Sequence, residues 1–414
     1  MTTDEKVKLL NPKNRFIYYP SLSSGASRAW LEKNTPLNPE SVEKLTGRFY
    51  NEKEYGKFTR PFFLLSAGHN YKNFDLKDKM GLNDSLVIAD SGGFQIATGA
   101  MKYEHGTEKG NAVREKLFLW LENNSDVAVN LDVPPRFTFE GRFNDCLQMS
   151  VDNFKYFESK QTGKTQFLNV LQGNNPNEYE IWYDKVKDFE FNGWCIGGAR
   201  RVVDLMYAVA MFLREGEFGK AKNKWMHVLG VSKISDFVIL AALQKQMNIH
   251  FNSNIVWTTD SSSPGQYPVY GVYLHSPCHK QGVFSSYHFK PENVDYPKGV
   301  RLPCAINCPA CRQIDLSQIN KYDETVRSVM VVHNTFIYHQ TADEASDIMD
   351  CPIEIVEDMM PSDLYDIVRS IQEMFDHPDK SIEIYKKYYQ TYISFSGNHV
   401  VTKNNAVLNE FFTV

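Results

Sequence analysis

Short apolar runs alternate with longer amphipathic stretches through the middle of the chain. The short runs are bounded by Gly, Pro, Asn or Asp and predict β-strands. The longer stretches repeat apolar residues every three or four positions, and this spacing predicts helices. Strands are predicted at 62–66, 86–89, 127–131, 167–171, 194–196, 227–229 and 255–258, and helices at 115–123, 145–157, 202–212 and 234–246.

This alternation predicts an α/β fold, a (β/α)8 barrel rather than an open doubly wound sheet. The open sheet fits less well because no G-x-G-x-x-G follows the first predicted strand. We expect the barrel, with an N-terminal extension, over residues 1–274. A Pro-, His- and Cys-rich segment breaks the rhythm and predicts an inserted zinc-binding subdomain at 275–340. Helices at 341–414 are expected to complete the barrel.

Composition narrows the possible partners. The chain has 414 residues, 42% hydrophobic and 23% charged, with a net charge of -5. A negative net charge argues against attraction of nucleic acid by the protein as a whole. Any contact with nucleic acid must therefore come from a local basic patch. No apolar run approaches the roughly 20 residues of a membrane span. The first residues also lack the layout of a signal peptide. We therefore expect a soluble, cytoplasmic protein without a membrane partner.

Carboxylates and an amide follow the predicted strands, where a parallel barrel carries its reactive groups. Asp90, Asp132 and Asp260 each follow a predicted strand, and Gln172 follows another. Asp and Gln side chains can pair with the edge of a purine, and Phe94 can stack on its face. Two further carboxylates permit nucleophilic displacement at an anomeric carbon with acid/base help. Glycine turns at 197–198 and 230 would let the backbone approach a flat ring.

Each of these signals has an ordinary alternative. An Asp at the end of a barrel strand can be a helix N-cap, and Gly-Gly after a strand can be only a turn. The ordered series of such residues favours a site over the separate structural explanations.

The motifs, taken in order, resemble those of the tRNA-guanine transglycosylase superfamily over roughly residues 61–338. The hexapeptide DSGGFQ at 90–95 is the most specific match, and the others gain weight from their order. They are LDVPP at 131–135, LQG at 171–173, CIGGA at 195–199, LGVSK at 229–233, TTDSSSP at 258–264 and the pair His333-Asn334.

The resemblance implies a pentosyltransferase that exchanges a purine base through a covalent aspartyl–nucleic acid intermediate. By position, Asp260 resembles the nucleophile that attacks the ribosyl C1′, and Asp90 resembles the general acid/base. The resemblance further implies base-edge, backbone and ring-stacking contacts from Phe94, Asp132, Gln172, Gly197, Gly198 and Leu229.

Three of the seven cysteines lie close together. In a reducing compartment such crowding indicates metal binding before disulfides. Cys304, Cys308, Cys311 and His333 could surround a structural zinc ion as a tetrahedral Cys3His set. The alternative, three buried free thiols, fits such close spacing less well.

The first ligand departs from the family pattern, which is CxCxxC followed by His. Ile306 stands where the first Cys of that pattern is expected. Either the loop bends to bring in Cys304, or Cys278 or His279 takes its place.

Several basic residues are expected near the mouth of the barrel, the opening at the carboxyl ends of its strands. They predict where the phosphate backbone of a nucleic acid could run. An ordinary solvated face is the alternative. The candidate contacts are Arg200, Arg201, Lys298, Arg301 and Arg312.

The expected nucleic acid follows from features of the tRNA-acting enzymes that this sequence does not share. Bacterial tRNA enzymes follow the nucleophile with a stretch containing Pro-Thr-Arg, whereas no Arg follows Asp260 until Arg301. Archaeal tRNA enzymes usually append RNA-binding domains, for which the chain beyond His339 leaves no room. The layout, including RPFFLLSAGHNYKNF at 60–74, is more similar to the DNA transglycosylases of phages and bacterial genomic islands. These replace guanine in DNA with a 7-deazaguanine.

We therefore expect DNA and a 7-deazaguanine base as partners, with a possible helper that opens the duplex, in a bacterial cell or a phage-infected host. A tRNA substrate is the alternative. A non-catalytic accessory subunit is a second alternative, disfavoured because both Asp90 and Asp260 are present.

Overall fold

The computed structural model of the chain describes residues 1–21, 31, 35–197, 201–251, 255–289 and 295–398. Eight parallel strands form one nearly closed sheet in the order β1-β8-β7-β6-β5-β4-β3-β2. These are β1 (Ile17–Pro20), β2 (Phe62–Ser66), β3 (Leu86–Asp90), β4 (Val127–Val129), β5 (Gln166–Leu171), β6 (Gly193–Ile196), β7 (Trp225–Val228) and β8 (Val256–Ser261).

Strand β1 closes the barrel. It pairs along its length with β8, with Tyr19 in register with Asp260. On its other side, Ser21 forms a parallel bridge to Leu64 of β2. The predicted (β/α)8 barrel is therefore confirmed.

The seven strands predicted from the sequence correspond to β2 through β8, and the eighth, β1, was missed. It is only four residues long and ends in Pro20, which makes it a weak strand signal. All four residues are nevertheless buried. Ile17, Tyr18 and Tyr19 are residue types enriched in strands, so local propensity and burial within the closed barrel both favour a strand here.

Helices surround the barrel, and at least one follows each of the strands β2 to β8 in the part of the chain that the structure describes. The α-helices are Thr3–Leu10, Glu52–Tyr55, Ala67–Asn70, Leu76–Met80, Gly93–Ala97, Glu108–Asn124, Phe143–Lys160, Pro176–Val186, Val202–Arg214, Ile234–His250, Ser263–Gln266, Glu324–Asp350, Ile353–Val356, Ser362–Asp376, Ser381–Lys387 and Tyr389–Asn398. Short 3-10 turns lie at Gly56–Phe58, Phe137–Phe139, Glu217–Gly219, Tyr267–Tyr270, His279–Gln281, Ala310–Gln313, Leu316–Asn320, Glu357–Met359 and Pro378–Lys380.

The cysteine-containing insertion follows β8, on the face where the active mouth of such a barrel lies. It opens with an antiparallel hairpin of β9 (Val272–Cys278) and β10 (Val283–His288). The helix Glu324–Asp350 then packs against Ile234–His250, β1 and β9. It thus takes the position of the eighth barrel helix, and the proposed domain boundary at 340 falls inside it.

The remaining C-terminal helices pack on the outside of the barrel. Ser362–Asp376 contacts Ile234–His250, and Ser381–Lys387 contacts Val202–Arg214. Across the part of the chain that the structure describes, no helix has both the length and the apolar character needed to cross a membrane.

One glycine is required by the close approach of β6 and β7. Gly193 has φ +145°, and a Cβ there would lie 2.1 Å from the backbone oxygen of Trp225. We expect Gly193→Ala to lower the free energy of unfolding by about 3 kcal/mol, because the backbone of β7 cannot give way locally. Urea denaturation followed by circular dichroism measures this.

Gly219→Ala is the matched control, since a Cβ at Gly219 would meet nothing within 4 Å. A stability of Gly193→Ala equal to that of the control would contradict the assigned β6–β7 packing.

Candidate active site and metal centre

Three carboxylates and one amide meet at the carboxyl ends of the barrel strands. Asp90 ends β3, Asp132 follows β4, Gln172 follows β5 and Asp260 lies in β8. Gln172 Nε2 donates a hydrogen bond to Asp132 Oδ2 at 2.7 Å. Asp132, Gln172 and Asp260 are buried, with 3%, 2% and 9% of their surfaces exposed. The structure thus brings together four side chains that the sequence predicted as one site.

Burial and like charge change the proton affinity of two of these carboxyls. The pKa of Asp132 is raised to about 7, chiefly by burial and also by the nearby Asp90 carboxylate, although the Gln172 hydrogen bond lowers it. Burial also raises the pKa of Asp90, and the Asp260 carboxylate adds to the effect. A hydrogen bond of 3.2 Å from Ser66 Oγ partly offsets this at Asp90. The mouth therefore holds one carboxyl group, that of Asp132, able to carry or release a proton near neutral pH, beside Asp90, whose pKa is raised above its usual range.

Two glycines of the motifs make room for the hydrogen-bonded pair of Asp132 and Gln172. A Cβ at Gly93 would lie 2.7 Å from Asp132 Oδ1, and one at Gly197 would lie 2.2 Å from Gln172 Nε2. Glycine at these positions lets the acid and the amide approach each other. Gly198 lies outside the described residues, so the structure places only one of the two predicted backbone contacts.

Polar atoms in the mouth remain available for a ligand. Gln172 Oε1 and Asn130 Nδ2 are buried and have no hydrogen-bond partner among the residues that the structure describes. A buried acceptor and a buried donor without partners are costly unless something fills the site. Asn130 comes just before the LDVPP motif, and nothing in its sequence context indicated this position.

His227 is a further residue that the sequence analysis missed. It is fully buried in β7, with its Nδ1 2.8 Å from Thr258 Oγ1 and its Nε2 3.5 Å from Asp260 Oδ1. The same Asp260 oxygen accepts a 2.9 Å hydrogen bond from the Gly230 N–H. A His inside a predicted apolar strand was the available signal, because alternate residues of a barrel strand point inward.

The predicted stacking residues lie at the rim of the mouth. Phe94 is 53% exposed and meets the ring of Phe137 edge to face, with centroids 5.5 Å apart. Phe137 has φ +53°, unusual for a bulky residue. Leu229 is half-buried after β7 and packs on the core. A flat ligand could thus reach an exposed aromatic face at this rim.

The predicted nucleic-acid contacts differ in availability. Arg201 is paired with Asp204 through two bonds of 2.9 and 3.0 Å, and Arg200 lies outside the described residues. Lys298, Arg301 and Arg312 are exposed, and their side chains form no ion pair with any described residue. Those three side chains are therefore available to phosphate.

The four predicted metal ligands form one compact cluster. The three Sγ atoms and the ring nitrogen of His333 lie within 4.8 Å of one another. Cys308 and Cys311 Sγ are 3.3 Å apart, and His333 Nδ1 lies 3.2–3.6 Å from the three sulfurs. A tetrahedral ion with metal–sulfur bonds of about 2.3 Å needs ligand atoms spaced in this range. The cluster could therefore hold a metal ion.

Cys304 joins this cluster, and the alternatives do not. The chain turns between Cys304 and Cys308 through Asn307, whose φ of +50° is tolerated by Asn. The Cys308 N–H then donates to Cys304 Sγ at 3.2 Å. His279 instead faces Glu344 at 3.2 Å, and Cys278 is outside the cluster. The sequence left this choice open, and the bend of the loop decides it.

The surroundings of His333 hold it in one orientation. Its Nε2 lies 2.6 Å from the Leu274 carbonyl oxygen, which leaves Nδ1 facing the sulfurs. The ring of Tyr273 stacks on it at 4.0 Å, with the tyrosine hydroxyl 3.0 Å from Cys311 Sγ. The Asn334 side chain accepts a hydrogen bond from the Leu274 N–H and donates one to the Val272 carbonyl oxygen, both in β9. Such outer contacts are typical of metal-binding histidines.

Comparison with protein-family models and with curated proteins finds no match to this chain. The fold and the sites define it as a (β/α)8-barrel protein with a buried acidic mouth and a Cys3His cluster. Its function must be argued from these residues.

The raised pKa of Asp132 predicts a pH-dependent cost to stability. A carboxyl whose pKa rises on folding destabilises the folded protein once it ionises, so the cost is absent near pH 4, grows up to about pH 7, and stays constant above. We expect Asp132→Asn to raise the free energy of unfolding at pH 8 by about 2–4 kcal/mol, with little effect at pH 4. Thermal and urea unfolding across this range measure it.

Asp126→Asn is the matched comparison. Asp126 is also buried but pairs with Lys6 at 2.9 Å and Lys77 at 3.2 Å. Its substitution should destabilise the protein, since it leaves the buried Lys6 and the half-buried Lys77 without their carboxylate partner. A loss of stability for Asp132→Asn at pH 8 would contradict the assigned environment.

Proposed function

We propose that this protein exchanges a guanine in DNA for a 7-deazaguanine base through a covalent aspartyl–nucleic acid intermediate. The observation that carries the proposal is the set of Asp90, Asp132, Gln172 and Asp260 at one mouth, the last three of them buried, with polar atoms left for a ligand. The motif order from DSGGFQ to His333-Asn334 is the second support.

Asp132 and Gln172 recognise the edge of the purine in this proposal. Ionised Asp132 accepts hydrogen bonds from ring and exocyclic N–H groups, while the unpaired Gln172 Oε1 accepts another. Phe94 covers one face of the base at the rim, and Leu229 supports the other. The base enters this pocket only after leaving the stack, because C1′ is not reachable in line while the purine is paired.

Asp260 supplies the nucleophile. Its Oδ1 is held by the Gly230 N–H and faces His227, so Oδ2 is the oxygen that attacks C1′. A C1′–O bond forms as the bond from C1′ to N9 of guanine breaks, and protonated Asp90 gives its proton to the leaving base. The raised pKa of Asp90 suits that role.

The second step reverses the first with a new base. The 7-deazaguanine loses its N9 proton to Asp90, and its nitrogen attacks C1′ as the bond to Asp260 breaks. The proton given to the leaving guanine is thus restored, and the enzyme ends in its starting state. No oxidant, reductant or further reactant is needed.

The choice of DNA is supported by the residues that follow the nucleophile. The stretch from Ser261 to Tyr270 contains no basic residue that could hold a folded anticodon loop. It runs into a short helix and turn at 263–270 instead. A single-stranded or locally opened segment needs only phosphate contacts beside the mouth.

The nucleophile gives the sharpest test of the chemistry. We expect Asp260→Asn to abolish both base exchange and the covalent adduct, since losing a covalent route costs many orders of magnitude. Incorporation of labelled 7-deazaguanine into oligonucleotides and a denaturing gel for the adduct measure these. Asp84→Asn, at an exposed position on the opposite face, should retain both activities.

The same assay run on DNA and on tRNA separates the substrates. Exchange at a tRNA guanine with none on DNA would overturn the DNA assignment and keep the chemistry. An active Asp260→Asn protein, or no exchange on either nucleic acid, would remove the chemistry itself.

We further propose that the metal is zinc and that its role is structural. Three thiolates and one imidazole suit Zn²⁺, and a full set of four protein ligands leaves no open position for a substrate. Burial raises the pKa of the Cys311 thiol, and a bound cation is what would keep it deprotonated. The ion would join the insertion to the helix Glu324–Asp350.

We expect about one zinc ion per chain in the purified protein, and its loss in Cys308→Ser and Cys311→Ser together with a lower thermal midpoint. Elemental analysis and thermal unfolding measure these. Cys278→Ser, at a cysteine outside the cluster, is the control and should keep the metal. Metal-free wild-type protein of unchanged stability would rule the proposal out.

A further inference from the structure

A cavity of about 620 Å³ opens beside the acidic mouth, outside the residues assigned to base exchange. It is formed by the loops that follow β2 and β3 and by the start of the helix Glu108–Asn124. Lys72, Lys102 and Lys109 contribute to its lining, with His69 and a single acidic residue, Glu104. We call it the lysine cavity.

The lining of this cavity carries an excess of positive charge, three lysines against one glutamate. Lys72, Lys102 and Lys109 are exposed, and none has an acidic partner among the described residues. The Lys72 ammonium instead lies 6.0 Å from the centre of the neighbouring Tyr71 ring. By contrast, two lysines on the opposite face are neutralised by Asp126. In a chain of net charge -5, three unpaired lysines around one cavity mark a place for an anion.

The lysine cavity shares a wall with the proposed catalytic loop. A Cβ built on Gly68 would lie 2.8 Å from the Gly92 Cα, so the two loops touch through their backbones. Gln95 Nε2 also lies 2.9 Å from His69 Nε2, within hydrogen-bond distance. Gly92 comes two residues after Asp90. Only the backbone of these two touching loops therefore separates a group in the cavity from the mouth.

We propose that the lysine cavity binds phosphate groups of single-stranded nucleic acid next to the exchanged nucleotide. This inference rests on the proposed function, because the base in the mouth sets where the neighbouring phosphates lie. The lysines come from two loops and a helix start, so they can follow successive phosphates rather than enclose one. Lysine suits this task as a mobile point charge that holds a backbone without reading its sequence.

The test uses the full-length protein and a labelled single-stranded oligonucleotide that contains no guanine, so binding needs no exchange. We expect the triple variant Lys72→Ala, Lys102→Ala, Lys109→Ala to bind it at least tenfold more weakly at low salt. The slope of log affinity against log salt should become shallower by about 2, because each phosphate neutralised on a single strand adds roughly 0.7 to it. Binding of the free 7-deazaguanine base should stay unchanged.

The matched control is Lys155→Ala, Lys160→Ala, Lys164→Ala, which removes the same charge from exposed lysines away from the mouth. Equal weakening by both triples would overturn the inference, because only net charge would then matter. Tight lysine-dependent binding of inorganic pyrophosphate, without lysine-dependent binding of the oligonucleotide, would overturn it too. If the cavity lysines govern oligonucleotide binding but no base exchange occurs on any substrate, the proposed chemistry fails and the binding site remains.

Discussion

Closure of the barrel through β1 is the constraint on which the rest of this structure depends. The strand is short, yet it lies between β8 and β2 and joins the two ends of the sheet. Closure brings Asp260 of β8 within electrostatic reach of Asp90 of β3, which come from segments far apart in the chain. Because all strands run parallel, their carboxyl ends meet at one face. An open sheet of the same strands would leave these acids on opposite edges.

This arrangement requires the burial of like charges. Asp132 is held with a pKa of about 7 among apolar strands, where the Gln172 amide donates a hydrogen bond to its carboxylate. Asp126, on the face of the barrel opposite the mouth, is a buried carboxylate whose charge is balanced by two lysine partners. Asp132 forms no ion pair with a described residue. The Gln172 hydrogen bond, a hydrogen bond to its own backbone and the charge of Arg136 only partly offset the rise in its pKa, which burial chiefly causes. Strongly shifted pKa values of this kind are common at functional sites.

The Cys3His cluster links the insertion after β8 to the helix that packs on the barrel. Its cysteines come from the insertion after β8, whereas His333 belongs to the helix that takes the eighth barrel position. The side chain of Asn334, the next residue, accepts a hydrogen bond from the Leu274 N–H of β9 and donates one to the Val272 carbonyl oxygen. The pair His333-Asn334 therefore fixes the insertion to the barrel wall.

Periodicity, strand-end residues and cysteine spacing in the sequence determined the barrel, seven of its strands, the four side chains of the mouth and two cysteines of the cluster, Cys308 and Cys311. These features are local: apolar runs need only their own residues, and a residue after a parallel strand reaches the mouth whatever the helices do. Tertiary structure alone decided the rest. The strand β1 is paired towards both β8 and β2 only because the barrel closes, and Cys304 reaches the cluster because Asn307 adopts a left-handed turn. His227 meets Asp260, and three lysines meet around one cavity, through neighbours distant in the chain. Such contacts depend on how separate loops and strands pack, which no local pattern encodes.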